Sequence, residues 1–265
     1  MTRPLAPLPA GLVSAVRHIA TTPHLLVALD FDGTMAPLVS RAEDALPLPR
    51  SAAALAALAS MKSTTTALVS GRALASLRAV ATPPAPTLLV GSHGAESWWG
   101  PDSPALELTA EQGAALERAR ALVTQVTALF EGTVQEDKPS GVALHYRQAS
   151  EADGRAAVEH VTRGMAEDPA IYLGTGKMVL ELSVVSANKG QSLTALRERT
   201  QATATFFAGD DVTDEHAFAA LLPGDLGVKV GQGETGASFR IAAPAALPQL
   251  LELLVSARRE FLHVT

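Results

Sequence analysis

Residues 25–29 read Leu-Leu-Val-Ala-Leu and run straight into Asp30-Phe31-Asp32-Gly33-Thr34, so an apolar stretch ends abruptly in two carboxylates. An uninterrupted apolar run of this length is the pattern of a strand buried on both faces, as in a parallel sheet covered by helices. Gly33 and Thr34 then turn the chain and leave both acids beyond the strand's carboxyl end. In open α/β sheets that crevice is where ligands bind. Like charges this close repel unless a cation or a shared proton relieves them. An inert strand-to-turn junction has much the same composition, because Asp and Gly are common turn residues. The rest of the chain has to discriminate between the two.

The strand-and-turn theme repeats. Pro49 and Ser51 open an Ala/Leu-rich helix, 65–69 form a second strand ending at Ser70-Gly71-Arg72, 73–80 read as helix, and 87–90 as a third strand. This βαβαβ order implies a parallel sheet. From about residue 101 the texture changes. Thr109 with Gln112 makes a capping-box pattern before a long helix to Phe130. Strands at 133–136 and 142–147, a helix opened by Ser150, and strands at 170–173 and 178–183 follow. Such a segment reads as a small antiparallel α+β module. Strand and helix alternate again from Lys189, with strands at 205–208 and 226–230 and a last helix from about 247. The expected fold is therefore α/β, a Rossmann-like doubly wound parallel core carrying an inserted α+β cap. The core is expected at 1–103 and 186–265, the cap at 104–185.

With 265 residues, 47% of them hydrophobic and 18% charged, the chain can bury a substantial core. A net charge of −6 argues against a broad nucleic-acid surface, which would be basic. The absence of cysteine excludes disulfides and thiolate metal sites, and the seven histidines form no helical ligand pair. No apolar stretch reaches the ~20 residues needed to span a bilayer. Nor is there an apolar core of signal-peptide length behind Arg3, so cytoplasmic residence without a membrane partner is the expectation. Gly231-x-Gly233-x-x-Gly236 superficially matches a dinucleotide fingerprint, but Phe239-Arg-Ile-Ala next reads as a strand rather than a helix.

Three further segments carry polar groups at strand ends or helix starts. Gly209-Asp210-Asp211-x-x-Asp214-Glu215 closes the strand at 205–208 with a second acidic cluster. Asp30, Asp32 and Asp210 together could hold a hard cation, and Mg²⁺ suits such oxygen ligands. Acids at a helix start explain Asp214 and Glu215 through the dipole, but not consecutive aspartates at 210 and 211. Ser70, with Gly71 beside it, can offer a hydroxyl and backbone N–H groups to a phosphate oxygen, although an ordinary helix cap reads the same way. Lys189 sits at a helix start, where a cation opposes the dipole, and that hints at an anionic partner.

In this order the pieces resemble the four motifs of haloacid-dehalogenase-like phosphohydrolases: Asp30-Phe31-Asp32-Gly33-Thr34, Ser70, Lys189, and Gly209-Asp210-Asp211-x-x-Asp214. The resemblance implies double displacement, with Asp30 attacking phosphorus and Asp32 first protonating the departing alkoxide, then acting as base for water. It also implies Mg²⁺ on Asp30, Asp32 and Asp210, phosphate held by Ser70, Gly71 and Lys189, and support from Asp211 and Asp214. Within that superfamily the chain is most similar to trehalose-6-phosphate phosphatases, on Gly91-Ser92-His93-Gly94-Ala95-Glu96, Glu136-Asp137-Lys138-Pro139, Leu144-His145-Tyr146-Arg147 and Gly176-Lys177-Met178-Val179-Leu180-Glu181. The likeness implies that Glu136, Lys138, Lys177 and Glu181 bind the distal sugar of a sugar-phosphate substrate. Phe31 and Met35 stand where tyrosine and leucine are commoner in that family, conservative changes at positions expected to be buried. A phosphatase for another sugar phosphate, or a silent sugar-phosphate-binding module, would present the same core. Oligomeric state is not legible in the sequence, and a monomer fits it.

Overall fold

The computed structural model describes residues 6–176 and 178–264. It divides into two units, one formed by the chain up to Ser103 together with that from Asn188 onward, the other by Pro104–Ala187.

The first unit opens with α1 (Ala10–Ile19), β1 (Leu25–Leu29), α2 (Pro49–Ala59), β2 (Thr64–Val69), α3 (Leu74–Ala81), β3 (Leu88–Gly91) and β4 (Glu96–Trp98). The second unit contains α4 (Ala110–Leu129), β5 (Val134–Lys138), β6 (Gly141–His145), α5 (Glu151–Met165), β7 (Tyr172–Gly176) and β8 (Val179–Ser183). The chain then returns to the first unit through α6 (Lys189–Thr200), β9 (Ala204–Gly209), α7 (Asp214–Ala219), β10 (Leu226–Val230), β11 (Phe239–Ile241) and α8 (Leu247–Val264).

The first unit's sheet has the order β11-β10-β9-β1-β2-β3-β4. Every pairing is parallel except that of β4 with β3. β1 shows why helices cover both faces. Its alternate residues Leu25, Val27 and Leu29 join the core built with α1, α2, α3 and α8, whereas Leu26 and Ala28 join the one built with α6 and α7. All five are fully buried, each large one worth about 1.5–3 kcal/mol in apolar transfer. On the second face the Phe207 ring meets Phe218 edge-on, centroids 5.4 Å apart. The strand order reverses at β1: β2 and β3 lie to one side, β9, β10 and β11 to the other. The carboxyl ends of β1 and β9 therefore flank a topological switch point.

At the other end of the strands, Arg258 of α8 is fully buried. It donates to the carbonyl oxygens of Ala20 (2.8 Å), Pro23 (3.3 Å) and Ser63 (2.5 Å) and to Thr64 Oγ1 (3.1 Å). A buried guanidinium is tolerable only when its fork of donors is satisfied in this way.

The second unit is a four-stranded antiparallel sheet in the order β5-β6-β8-β7. Val142, Leu144, Leu180 and Leu182 on one face pack against Ala119, Val123, Val126, Ala157 and Val161 of α4 and α5. The expected capping box at the start of α4 is present, Gln112 N donating to Thr109 Oγ1 and Thr109 N to Gln112 Oε1.

Some features differ from the expectation. α1 and the antiparallel edge strand β4 carry no clear sequence signal. The apolar residues Leu12, Val16 and Ile19 of α1 sit behind a proline-rich lead-in, and three-residue β4 is too short to signal itself. The Ala/Leu-rich helix opens at Pro49 after Leu48 in the cap position, and Ser51 lies buried within its first turn. Between β10 and β11 the glycines at 231 and 233 form a turn with positive φ, and Phe239–Ile241 is a strand, so the dinucleotide pattern is a coincidence of turn chemistry. No helix among the described residues is long and apolar enough to cross a membrane.

Candidate active site

Register builds the site. Leu29 pairs with Ala208 on one side and Leu68 on the other, in parallel. The chain segments leaving β1, β9 and β2 therefore emerge side by side, carrying Asp30, Asp210 and Ser70. Asp30 N still donates to Ala208 O at 2.9 Å, which continues the ladder by one residue into the crevice.

Asp30, Asp210 and Asp214 bring one carboxylate oxygen each within 4.8 Å of one another. Lys189, at the start of α6, reaches into the same cluster and donates to Asp30 Oδ1 at 2.7 Å and Asp214 Oδ1 at 2.6 Å. Lys189, Asp30 and Asp214 are all buried. Burial pushes the Asp30 carboxyl well above the usual carboxylate range; Lys189 pulls against this, while Asp214 and Asp210 add to the rise. Burial alone would lower the Lys189 ammonium, but Asp214 and Asp30 outweigh it and hold its pKa above the ordinary value. Among the described residues, three carboxylates crowd around the Lys189 ammonium, an excess of acidic groups in a desolvated place.

That excess fits a divalent cation. Among the described residues Asp30 Oδ2 is buried with no hydrogen-bond partner, so one oxygen of the central carboxylate is left for a ligand. The donor set is all oxygen, the choice of hard ions such as Mg²⁺ rather than softer metals. Gly33 shapes the cradle: at φ +81° a Cβ there would lie 2.2 Å from Asp210 Oδ2. Asp214 is the least available of the three, because its Oδ2 also accepts from Asp211 N at 2.8 Å. Beneath it, Asp211 O accepts from the buried Lys229 at 3.1 Å, which ties the acidic turn to β10.

Asp32 departs from the expectation that it joins the metal cluster through its side chain. Its carboxylate is taken by Arg72 in a two-pronged pair, Nε to Oδ2 at 2.6 Å and Nη2 to Oδ1 at 2.7 Å, and Asp214 completes the acidic trio instead. Arg72, next after Ser70-Gly71, had no role assigned from sequence. Its partner lies 40 residues away, and only its place at a strand end hinted at the contact.

Ser70 is buried at the end of β2. Its N donates to Val90 O at 2.9 Å, and its Oγ accepts from Arg72 N at 3.2 Å. Gly71 lies against His93, where a Cβ would come within 2.3 Å of Nε2. His93 and Ser92, both at positive φ, brace the loop: His93 N donates to Ser70 O (3.0 Å) and Ser92 N to Arg72 O (2.7 Å). Trp98 and Trp99 lie under guanidinium groups, of Arg78 at 4.4 Å and Arg199 at 5.2 Å.

Within the second unit, Glu136, Ala143 and Glu181 pair across β5, β6 and β8 in one row. Residues directly opposite share a face, and so do alternate residues along a strand. Glu136, Lys138, His145 and Glu181 therefore stand together on the face opposite α4 and α5, with Gly141, Ala143 and Gly174 leaving space between them. Lys138 Nζ donates to Glu181 Oε1 at 2.6 Å, and Glu136 Oε2 is 2.7 Å from His145 Nε2. The hydrogen bond with His145 holds the Glu136 carboxyl below its usual range. Lys177 lies outside the described residues.

A doubly wound sheet with this cluster at its switch point and an α+β insertion is the haloacid-dehalogenase-like fold. The family model for trehalose-phosphatase matches residues 28–245. The chain is 31% identical over 249 residues to the trehalose-phosphate phosphatase of Mycobacterium marinum, covering 89% of this chain and 63% of that protein. It is 29% identical over 246 residues to the trehalose-6-phosphate phosphatase of Escherichia coli, covering 87% and 86%. Among solved structures, the C-terminal domain of a Candida albicans trehalose-6-phosphate phosphatase superposes with a TM-score of 0.81 at 20% identity, covering 96% of this chain and 99% of that one. The last shares the fold. The chain belongs to the trehalose-phosphatase family. It spans under two thirds of the length of the Mycobacterium marinum relative.

Proposed function

We propose that the protein is a Mg²⁺-dependent phosphatase that hydrolyses trehalose 6-phosphate in the cytoplasm. The observation that carries this reading is the buried Asp30 carboxylate, bridged by Lys189 to Asp214 and gathered with Asp210 at the switch point, in a member of the trehalose-phosphatase family.

Asp30 forms a bond to phosphorus as the ester P–O bond breaks in line with it, and the alkoxide leaves with a proton from Asp32. The aspartyl phosphate then meets water, whose proton passes to Asp32 as the oxygen attacks phosphorus. Asp30 returns to its starting state and phosphate departs. A carboxylate approaching a phosphate dianion needs its charge offset. Asp30 and Asp210, together with Asp214, would hold Mg²⁺, and the bound ion would supply that offset. Lys189, Ser70 and Gly71 hold the remaining phosphate oxygens. Uncatalysed monoester hydrolysis is so slow that catalysis can amount to ~10²¹-fold, so alignment and charge stabilisation have to act together. Glu136, Lys138, Lys177 and Glu181 bind the distal sugar, because charged groups make the strongest hydrogen bonds to hydroxyls.

The test is phosphate release across a panel of sugar phosphates, with Mg²⁺ and with a chelator. Trehalose 6-phosphate is expected to exceed glucose 6-phosphate by at least ~10-fold in kcat/KM, the worth of about 1.4 kcal/mol from the second sugar. Chelation is expected to abolish release. Equal rates on the two esters contradict the assignment of substrate.

A further inference from the structure

Arg72 is fixed at both ends. Its N donates to Ser70 Oγ at 3.2 Å, and its carbonyl accepts from Ser92 N at 2.7 Å. Its guanidinium lies 5.5 Å from the centre of the Phe31 ring and donates to Ser76 Oγ at 3.4 Å, and the side chain is only 10% exposed. The loop that pins its backbone is itself held in an unfavourable conformation: Ser92 has φ 48° and His93 φ 54°, and neither is glycine. Such backbone is strained for a residue with a side chain and persists only where surrounding contacts enforce it. Glu96 supplies two of them, accepting from Ser92 Oγ at 2.6 Å and Leu74 N at 3.1 Å. The β3–β4 connection therefore works as a brace, and what it braces is the residue that grips Asp32.

The grip is geometrically specific. A two-pronged guanidinium fixes the plane of a carboxylate as well as its position, which a lysine point charge does not. A carboxylate offers roughly four acceptor sites. The fork takes one on each oxygen of Asp32 and leaves the others, on a side chain that is still 33% exposed.

We propose that Arg72 is the positioning residue for proton transfer by Asp32, its fork aiming a remaining carboxyl oxygen at the leaving group. The inference rests on the phosphatase reading above and adds to it a residue that reading does not use. Arg72 acts through Asp32: the proton moves from the Asp32 carboxyl to the alkoxide oxygen as that oxygen's bond to phosphorus breaks.

The leaving group separates this role from a merely structural one. Trehalose departs as an alkoxide and needs the proton; p-nitrophenolate is stable as an anion and does not. The experiment measures first-turnover release of trehalose from trehalose 6-phosphate and of nitrophenolate from p-nitrophenyl phosphate, in wild type, Arg72→Ala and Arg72→Lys. General acid catalysis contributes about 10²–10⁴-fold, and misaiming the acid forfeits part of it. Arg72→Ala is thus expected to slow trehalose release ~10-fold or more while nitrophenolate release stays within ~2-fold. Arg72→Lys keeps a charge without the fork, so a smaller loss with the same ester selectivity is expected; it decides the matter alone if Arg72→Ala fails to fold. Equal slowing of both esters, or of neither, overturns the assignment of Arg72 while leaving the phosphatase reading intact. A wild-type protein inert towards both esters overturns that reading and this inference with it.

Discussion

Asp30→Asn is expected to lower turnover of trehalose 6-phosphate by at least ~10³-fold, because a carboxamide is no nucleophile and no other group replaces a lost one. The protein should nevertheless stay folded. Burial penalises the Asp30 charge and drives its pKa upward in the folded protein. A carboxyl with a raised folded pKa binds its proton more tightly when folded. Its contribution to stability is therefore complete below the ordinary carboxylate range and is lost as pH rises through the raised value. At neutral pH without metal, Asp30 is a cost that asparagine removes, and Asp214 remains to pair Lys189. The variant should then melt no lower than wild type at neutral pH, and any advantage should shrink on acidification. Activity assays and thermal melts over a pH series check both halves. Turnover within ~10-fold of wild type removes Asp30 from the role of nucleophile.

Lys189→Ala carries the second large effect, here on stability as well as on activity. Lys189 Nζ holds two buried carboxylates at 2.7 and 2.6 Å, and removing it leaves them facing each other and Asp210 without that ammonium. Breaking a buried pair in this way costs about 3–5 kcal/mol. Turnover should vanish too, since phosphate and nucleophile lose a shared positive partner. Millimolar Mg²⁺ should raise the melting temperature of Lys189→Ala by more than it raises that of wild type, because a divalent ion takes over the neutralisation the lysine provided. Melts with and without Mg²⁺ give the comparison. A variant as stable as wild type in chelator shows that Lys189 is not holding the cluster together.

The sequence made Asp30, Asp210, Ser70 and Lys189 legible for one physical reason. Each closes an apolar run or opens a helix, where a parallel sheet brings loop residues together, so local pattern and topology gave the same answer. Lys189, a cation placed against the helix dipole, points to an anionic partner, and its partners are Asp30 and Asp214. The dipole explanation of Asp214 was incomplete, because a fully buried carboxylate at a helix start needs a countercharge that no local pattern names. The place of the Asp32 carboxylate outside the acidic trio was illegible for the same reason: it pairs with Arg72, a contact set by the juxtaposition of β1 and β2 rather than by spacing. The alternation of β1 between two cores was visible only as an unbroken apolar run, which tells burial but not which helix covers which face. Short β4 and the proline-shadowed α1 lay below the threshold of any periodicity.

The account stands on Asp30 becoming covalently bonded to phosphorus. Acid quenching during turnover of trehalose 6-phosphate with Mg²⁺, followed by borohydride reduction and mass spectrometry of the peptides, reads this directly. Reduction of an acyl phosphate at Asp30 to the alcohol, absent in chelator, is the predicted result. Phosphate released at full rate with Asp30 unmodified at every quench time would contradict it.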